Sequence, residues 1–272
     1  MKKQEIRVCI MRVGGTNCDV ETHRAFKELG VSSETVHLNE LVKNKRLMDY
    51  HALVLPGGFS YGDYIRAGVV WAKLLSAKLA KPLEAFVEDG RLVLGICNGF
   101  QVLVELGLLP AFKPRSEHPE AALAPNTPQG YNCRWVHLRH ENRGKCVFTR
   151  RIQPGQVLRV PIAHSEGRFI FPKEAEQKLL RRLYDEDMLV LRYCHKNGEP
   201  AGGIFPANPN GAFHDIAGIC NPEGTVFGLM PHPERAFYWW QQPDWTRQKA
   251  MPQYGDGKLL FEGMVEYLAQ KF

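Results

Sequence analysis

A cysteine set between two glycines carries the first chemical signal: Val93-Leu94-Gly95-Ile96-Cys97-Asn98-Gly99-Phe100-Gln101. The apolar run from Leu92 to Ile96 reads as a buried strand. Cys97 then sits at the apex of a sharp turn, and Phe100, Leu103, Val104 and Leu106 repeat with a helical period. This is the nucleophile-elbow layout with sulfur in place of a serine oxygen. Unpaired amides and the dipole at a helix N-terminus favour a thiolate there. Gln101, one helical turn on, can face the same cavity. The plain alternative for Cys97 is a small buried apolar residue at a strand–helix junction.

A thiol nucleophile needs a base, and the base needs an orienting group. Among ten histidines, His232 stands out in Leu229-Met230-Pro231-His232-Pro233-Glu234. Prolines on both sides exclude a helix and favour an extended chain. Residues two apart in an extended chain share a side, so Glu234 can fix the imidazole tautomer. The order Cys97, His232, Glu234 follows triad logic. The competing reading makes His232 a turn residue and pairs Glu234 with Arg235. Acyl chemistry also needs donors for an oxyanion. The N–H of Asn98, directly after the nucleophile, is one candidate. Gly58, in the turn Pro56-Gly57-Gly58-Phe59, is the other. Equally, these glycines can serve the turn alone.

Strand–helix alternation must position these groups. Strands are expected at Ile6 to Met11, Thr35 to Leu38, Ala52 to Leu55 and Leu92 to Ile96. Helices are expected after Asp19, ending at Gly30, and from Val69 to Leu79 with Val70, Leu74 and Leu75 inward. The pattern predicts an α/β fold with a mostly parallel central sheet flanked by helices. Ligands of such sheets bind beyond the carboxyl ends of the strands. Three loops leave those ends: Gly14 to Asp19, Gly57 to Asp63, and the Cys97 turn. From about residue 113 to 130 the chain is polar and rich in proline, which predicts a surface loop. Strand-rich additions follow at Arg134 to Leu138, Val157 to Ile162 and Leu189 to Tyr193, with a helix from Lys173 to Leu183. The aromatic segment Trp239 to Gly257 predicts an ordered loop, and Lys258 to Gln270 an amphipathic helix with Leu260, Met264 and Leu268 inward.

The chain has 272 residues, 44% of them hydrophobic, and a net charge of +6. That length suits one large domain, here residues 1–272. No dense Lys/Arg run with interleaved aromatics argues for nucleic acid as a partner. No stretch nears the roughly 20 apolar residues of a membrane span, and the N-terminus has no apolar signal region. Seven scattered cysteines lack metal-ligand spacing. They suit a reducing, cytoplasmic setting, with no metal or cofactor expected in this chain.

The paired motifs Gly95-x-Cys97-x-Gly99-x-Gln101 and Pro231-His232-Pro233-Glu234 resemble those of the class I (triad) glutamine amidotransferases. More of the chain is similar to the glutaminase subunits of phosphoribosylformylglycinamidine synthase. The similar stretches include Gly15-Thr16-Asn17-Cys18-Asp19, the turn from Pro56 to Tyr64, Ala163 to Phe169, Asn208 to Gly211 and Gly228 to Arg235. The resemblance implies that Cys97 attacks the side-chain amide of L-glutamine. It also implies an oxyanion hole at Gly58 and Asn98, acid–base work by His232 under Glu234, and a glutamine pocket shaped by Gln101. Ammonia then passes to a synthetase subunit that uses ATP and magnesium, often with a small third subunit. The polar group His164, Glu166 and Arg168 becomes a candidate for partner or channel contact, beside the plainer reading of a solvated turn. Two rival readings stay open: an idle binding scaffold with the same fold, and a different cysteine hydrolase or redox-responsive protein on a similar sheet, with Cys18 or Cys220 approaching Cys97 in space.

Overall fold

The computed structural model describes residues 1–44, 46–113, 119–247 and 251–272. Its frame is a nine-stranded sheet in the order β2-β1-β3-β4-β11-β10-β9-β6-β7. The parallel half comprises β2 (Ser32–His37), β1 (Arg7–Arg12), β3 (Ala52–Leu55), β4 (Leu92–Ile96) and β11 (Val226–Leu229). Its inner strands β3, β4 and β11 are buried at every residue. That is the mark of a parallel sheet covered on both faces. The antiparallel half comprises β10 (Ile216–Cys220), β9 (Leu189–Cys194), β6 (Asn132–His140) and β7 (Val157–His164). Along β7 burial alternates residue by residue, because only one face of that strand is covered. These strands are the additions expected in the second half of the chain.

Helices α1 (Asp19–Glu28), α2 (Leu38–Lys43), α3 (Val69–Glu88), α4 (Asn98–Glu105), α5 (Glu176–Asp185) and α6 (Lys258–Lys271) complete the fold. Phe26 of α1 meets Phe261 of α6 edge-on, ring centres 5.2 Å apart. Leu260, Met264 and Leu268 of α6 are buried as the stripe predicted.

Three local expectations change. The second strand stops at His37, and Leu38 opens α2, whose first turn His37 caps by accepting the Asn39 N–H at 3.2 Å. Helix α3 does not end at Leu79: the backbone kinks there (φ −132°) and continues through Pro82 to Glu88. Proline lacks the N–H of the i→i−4 bond, and the bend just before it absorbs the defect. The kink sits one turn ahead of the proline, where the pattern read from sequence ran out. The inward residues of α3 include Val69, Trp71, Ala72 and Leu75, while Val70 and Leu74 are half-buried. The proline-rich stretch is also more than a surface loop. Residues 114–118 lie outside the described ones, but Ala122–Ala124 form β5, which pairs with β8 (Arg168–Ile170) and buries Leu123. The aromatic segment is ordered over its described residues, with short 3-10 turns at Trp239–Gln241 and Trp245–Arg247. Residues 248–250 of it are not among those described. Among the described residues no helix is long and apolar enough to cross a membrane.

Helix α4 lies so close to β3 that a Cβ on Gly99 would stand 1.8 Å from the Leu55 carbonyl oxygen. That oxygen belongs to a buried strand end and cannot retreat. Gly99→Ala is therefore expected to lose about 2–3 kcal/mol in urea denaturation. Gly14→Ala, with nothing within 4 Å of its added methyl, should stay within about 0.5 kcal/mol. Equal stability of the two variants would contradict this packing.

Candidate active site

The site forms where β4 ends. Cys97 occupies a left-handed backbone conformation, φ +51° and ψ −104°, as the residue before α4. A side chain there is strained by about 1–3 kcal/mol. The turn is held from both sides, by the Cys97 N–H to Leu229 carbonyl bond (2.8 Å) and the Gln101 N–H to Cys97 carbonyl bond (3.1 Å). The elbow predicted from sequence is thus present. Cys97 Sγ lies 3.6 Å from the Ala163 carbonyl at the end of β7.

His232 and Glu234 meet, though not by the route the prolines suggested. The chain does not stay extended: Pro233–Ala236 form a 3-10 turn directly after His232. Proline suits the first position of such a turn because its missing N–H is not needed there. The turn carries the Glu234 carboxylate back to the ring. His232 Nδ1 lies 2.6 Å from Glu234 Oε1, and the two side chains are 2% and 0% exposed. Burial by itself lowers the imidazole pKa. The Glu234 charge, then Cys97 and a contact with Cys18, more than offset it, so the ring holds its proton well above the ordinary histidine range. Since Nδ1 is committed to Glu234, Nε2 is the ring nitrogen left free. Among the described residues Nε2 has no hydrogen-bond partner.

The two candidate donor amides are both left outside their own element's pairing. Asn98 opens α4, so its N–H has no acceptor within the helix. In the other turn the Phe59 N–H bonds the Gly15 carbonyl and the Gly57 carbonyl takes Asn17 and Cys18, which leaves the Gly58 N–H outside the pairing. A Cβ on Gly58 would come within 2.7 Å of the Gly15 oxygen, and one on Gly57 within 2.7 Å of His232 Cε1. The glycines therefore admit the histidine as well as making the turn. The Asn98 side chain couples both turns. It accepts from the Ser60 N–H (3.2 Å) and donates to Gln101 Oε1 (2.9 Å). Gln101 Nε2 in turn donates to the Glu166 carbonyl. Both ends of the Gln101 amide are engaged by the protein.

The group His164, Glu166 and Arg168 does not behave as a solvated turn. His164 is 3% exposed, with Nδ1 3.1 Å from Asn126 Oδ1. The Glu166 carboxylate accepts the Ala67 N–H at the entrance to α3, and Arg168 bonds the Pro125 carbonyl. Burial, and then the charge of His232, push the His164 pKa down to about 3.

From the sequence, Cys18 was part of a loop at a strand end and a possible spatial neighbour of Cys97, not a neighbour of His232. Its Sγ lies 3.9 Å from His232 Nδ1 and accepts from Arg235 Nη2 at 3.1 Å. No spacing rule pairs residues 214 positions apart, so the signal is the fold alone. Cys220, the other cysteine considered as a neighbour of Cys97, ends β10 beside the Asp187 carbonyl.

His164 gives this region a pH signature. An unfolded histidine takes up a proton near pH 6.5, whereas folded His164 does so only at about 3. Its contribution to stability is present above pH 6.5 and is lost as pH falls toward 3, at up to about 1.4 kcal/mol per pH unit. Urea midpoints measured from pH 7 to 5 should fall more steeply for the native chain than for His164→Gln. Parallel profiles would show that His164 is not held neutral by burial.

The family model of the CobB/CobQ-like glutamine amidotransferase domain matches residues 5–268. The chain is 46% identical to phosphoribosylformylglycinamidine synthase subunit PurQ of Archaeoglobus fulgidus, covering 98% of this chain and 99% of that one. It is 42% identical to the Methanococcus maripaludis subunit of the same name, covering 96% and 97%. A chain of the PurLQS structure from Thermotoga maritima superposes with a TM-score of 0.71 at 34% identity, covering 97% of this chain and 99% of that one. The chain belongs to the glutamine amidotransferase family, and within it to the PurQ subunits of phosphoribosylformylglycinamidine synthase.

Proposed function

We propose that this chain is the glutaminase subunit of phosphoribosylformylglycinamidine synthase and that Cys97, His232 and Glu234 perform its chemistry. The observation that carries the reading is the buried 2.6 Å contact between His232 and Glu234 beside a cysteine on a strained elbow, in a chain of this family.

The Cys97 thiolate attacks the side-chain amide carbon of L-glutamine. The N–H groups of Asn98 and Gly58 donate to the developing oxyanion. His232 gives its proton to the departing ammonia, leaving a glutamyl thioester on Cys97. The same ring then accepts a proton from water, which attacks the thioester. Glutamate leaves and the thiol is restored. Splitting one hard amide hydrolysis into two easier steps is the gain from the covalent route. Glu234 holds the ring in one tautomer and offsets its charge throughout. Gln101 shapes the glutamine pocket by bracing the Asn98 turn against the Glu166 segment.

Ammonia released here serves a synthetase subunit that amidates formylglycinamide ribonucleotide in purine biosynthesis. ATP and magnesium act on that partner, and a small third subunit joins the assembly. The pairing with a synthetase is supported by the PurLQS structure among the neighbours.

Glutamate release from L-glutamine tests the reading, with and without the synthetase subunit. Cys97→Ser should abolish release in both conditions. Glu234→Gln should lower kcat by about 10²–10⁴-fold, because the ring loses its tautomer control. The isolated chain is expected to be slow and stimulated by the partner, since free hydrolysis wastes ammonia. No release under any condition, with a synthetase competent on free ammonia, would establish an idle scaffold instead.

A further inference from the structure

Cys18, His232 and Glu234 present one ligand atom each within 4.8 Å of one another, and all three are buried. Thiolate sulfur, imidazole nitrogen and carboxylate oxygen together form a ligand set suited to zinc. Tetrahedral zinc holds sulfur at about 2.3 Å and nitrogen or oxygen at about 2.0–2.2 Å, which sets its ligand atoms roughly 3.3–3.6 Å apart. The His232 Nδ1–Glu234 Oε1 separation is 2.6 Å and the Cys18 Sγ–Nδ1 separation is 3.9 Å. The third separation, sulfur to carboxylate, is within 4.8 Å, so closing the set to that geometry takes side-chain shifts of roughly 1 Å. A second observation points the same way. Glu234 Oε2 is buried and, among the described residues, has no hydrogen-bond partner. A cation at the cluster would satisfy that carboxylate, which the protein leaves half-used.

We propose that Cys18, His232 and Glu234 form a zinc site whose occupation blocks the glutaminase. The inhibitory step rests on the role given to His232 above; the binding site does not. Zinc takes Nδ1 of His232 and displaces the proton shared with Glu234. The neutral imidazole then carries its only proton on Nε2. That nitrogen cannot accept a proton, and the exchange with Cys97 stops. Cys18 also gives up its thiol proton on coordination, so binding releases protons and weakens as pH falls. Burial pushes the Cys18 thiol up, and Arg235 Nη2, 3.1 Å from the sulfur, offsets part of that while opposing the cation; Arg235 Nε is also ion-paired with Glu21 at 3.6 Å. Cys97 stays outside the ligand set. The cluster thus turns the histidine–carboxylate pair into a point of control by free zinc.

The test uses the full chain with the exposed Cys133 replaced by serine, titrated with zinc chloride and, in parallel, with cobalt(II). One zinc per chain is expected. Cobalt should give a thiolate-to-metal charge-transfer band that Cys97→Ser keeps and Cys18→Ser loses. The zinc concentration that halves glutaminase activity, taken relative to each variant's own metal-free rate, should rise at least about tenfold in Cys18→Ser, as loss of a metal's supporting group does elsewhere. X-ray absorption at the zinc edge, on the chain that retains Cys18, should count one sulfur ligand. This readout needs no substitution at the buried cysteine. No stoichiometric zinc, no sulfur ligand, or a band lost with Cys97→Ser and kept with Cys18→Ser would overturn the site. Stoichiometry, band and sulfur count do not require activity, so failure of the glutaminase reading is distinguishable from failure of the metal site.

Discussion

A charged imidazole and a carboxylate share a proton inside this protein with almost no water around them. Desolvating either charge alone is expensive, and the mutual attraction at 2.6 Å offsets that only while the geometry holds. The surrounding structure reads as the means of holding it. The 3-10 turn after Pro233 supplies the carboxylate from two residues away. The His232 N–H is anchored to the Pro161 carbonyl at 2.8 Å. Gly57 has no side chain because the ring occupies that space. Arg235 and Cys18 close the far side. Removing one partner would leave a buried charge uncompensated, which is why the pair acts as a unit.

Cys97 depends on the same economy of space. A left-handed cysteine is tolerable only where its neighbours over-determine it. Here β11 takes its N–H, α4 takes its carbonyl, and glycines on both sides let the strand and helix approach without a Cβ. The Asn98 side chain then ties this elbow to the glycine turn of β3, so the two candidate oxyanion donors are set by one hydrogen-bonded bracket.

The antiparallel half of the sheet reaches back to the centre. Strand β7 lies at the far edge, with β10, β9 and β6 between it and β11. Yet its last residues touch Cys97 through Ala163 and crowd His232 through His164. Its edge position leaves the Pro161 carbonyl free for His232, and an edge is also where a sheet tolerates proline. The strand-rich additions therefore form a wall of the site.

Local pattern was enough for much of this. A strand running into Gly-x-Cys-x-Gly and a helix has few solutions, so Cys97, Asn98 and Gln101 were placed by short-range sterics. The continuous apolar runs at β3 and β4 announced a doubly covered parallel sheet, because those strands have no polar face. The Pro-His-Pro-Glu string named the right pair, although the turn that joins them is tighter than the prolines alone imply. Other features were not legible because they are made by contacts between distant segments. Helix α3 passes its proline because packing outweighs one lost hydrogen bond. His164 is held neutral because the end of β7 is buried and lies near the charge of His232. Cys18 stands beside His232 only because the loops after β1 and β11 end at the same edge of the sheet. The sequence by itself determined the kinds of side chain at the candidate site and the local turns that present them, since both are short-range properties. Their burial, their charge states and the placing of Cys18 beside the histidine were decided by the tertiary structure, since these depend on which segments exclude water from one another.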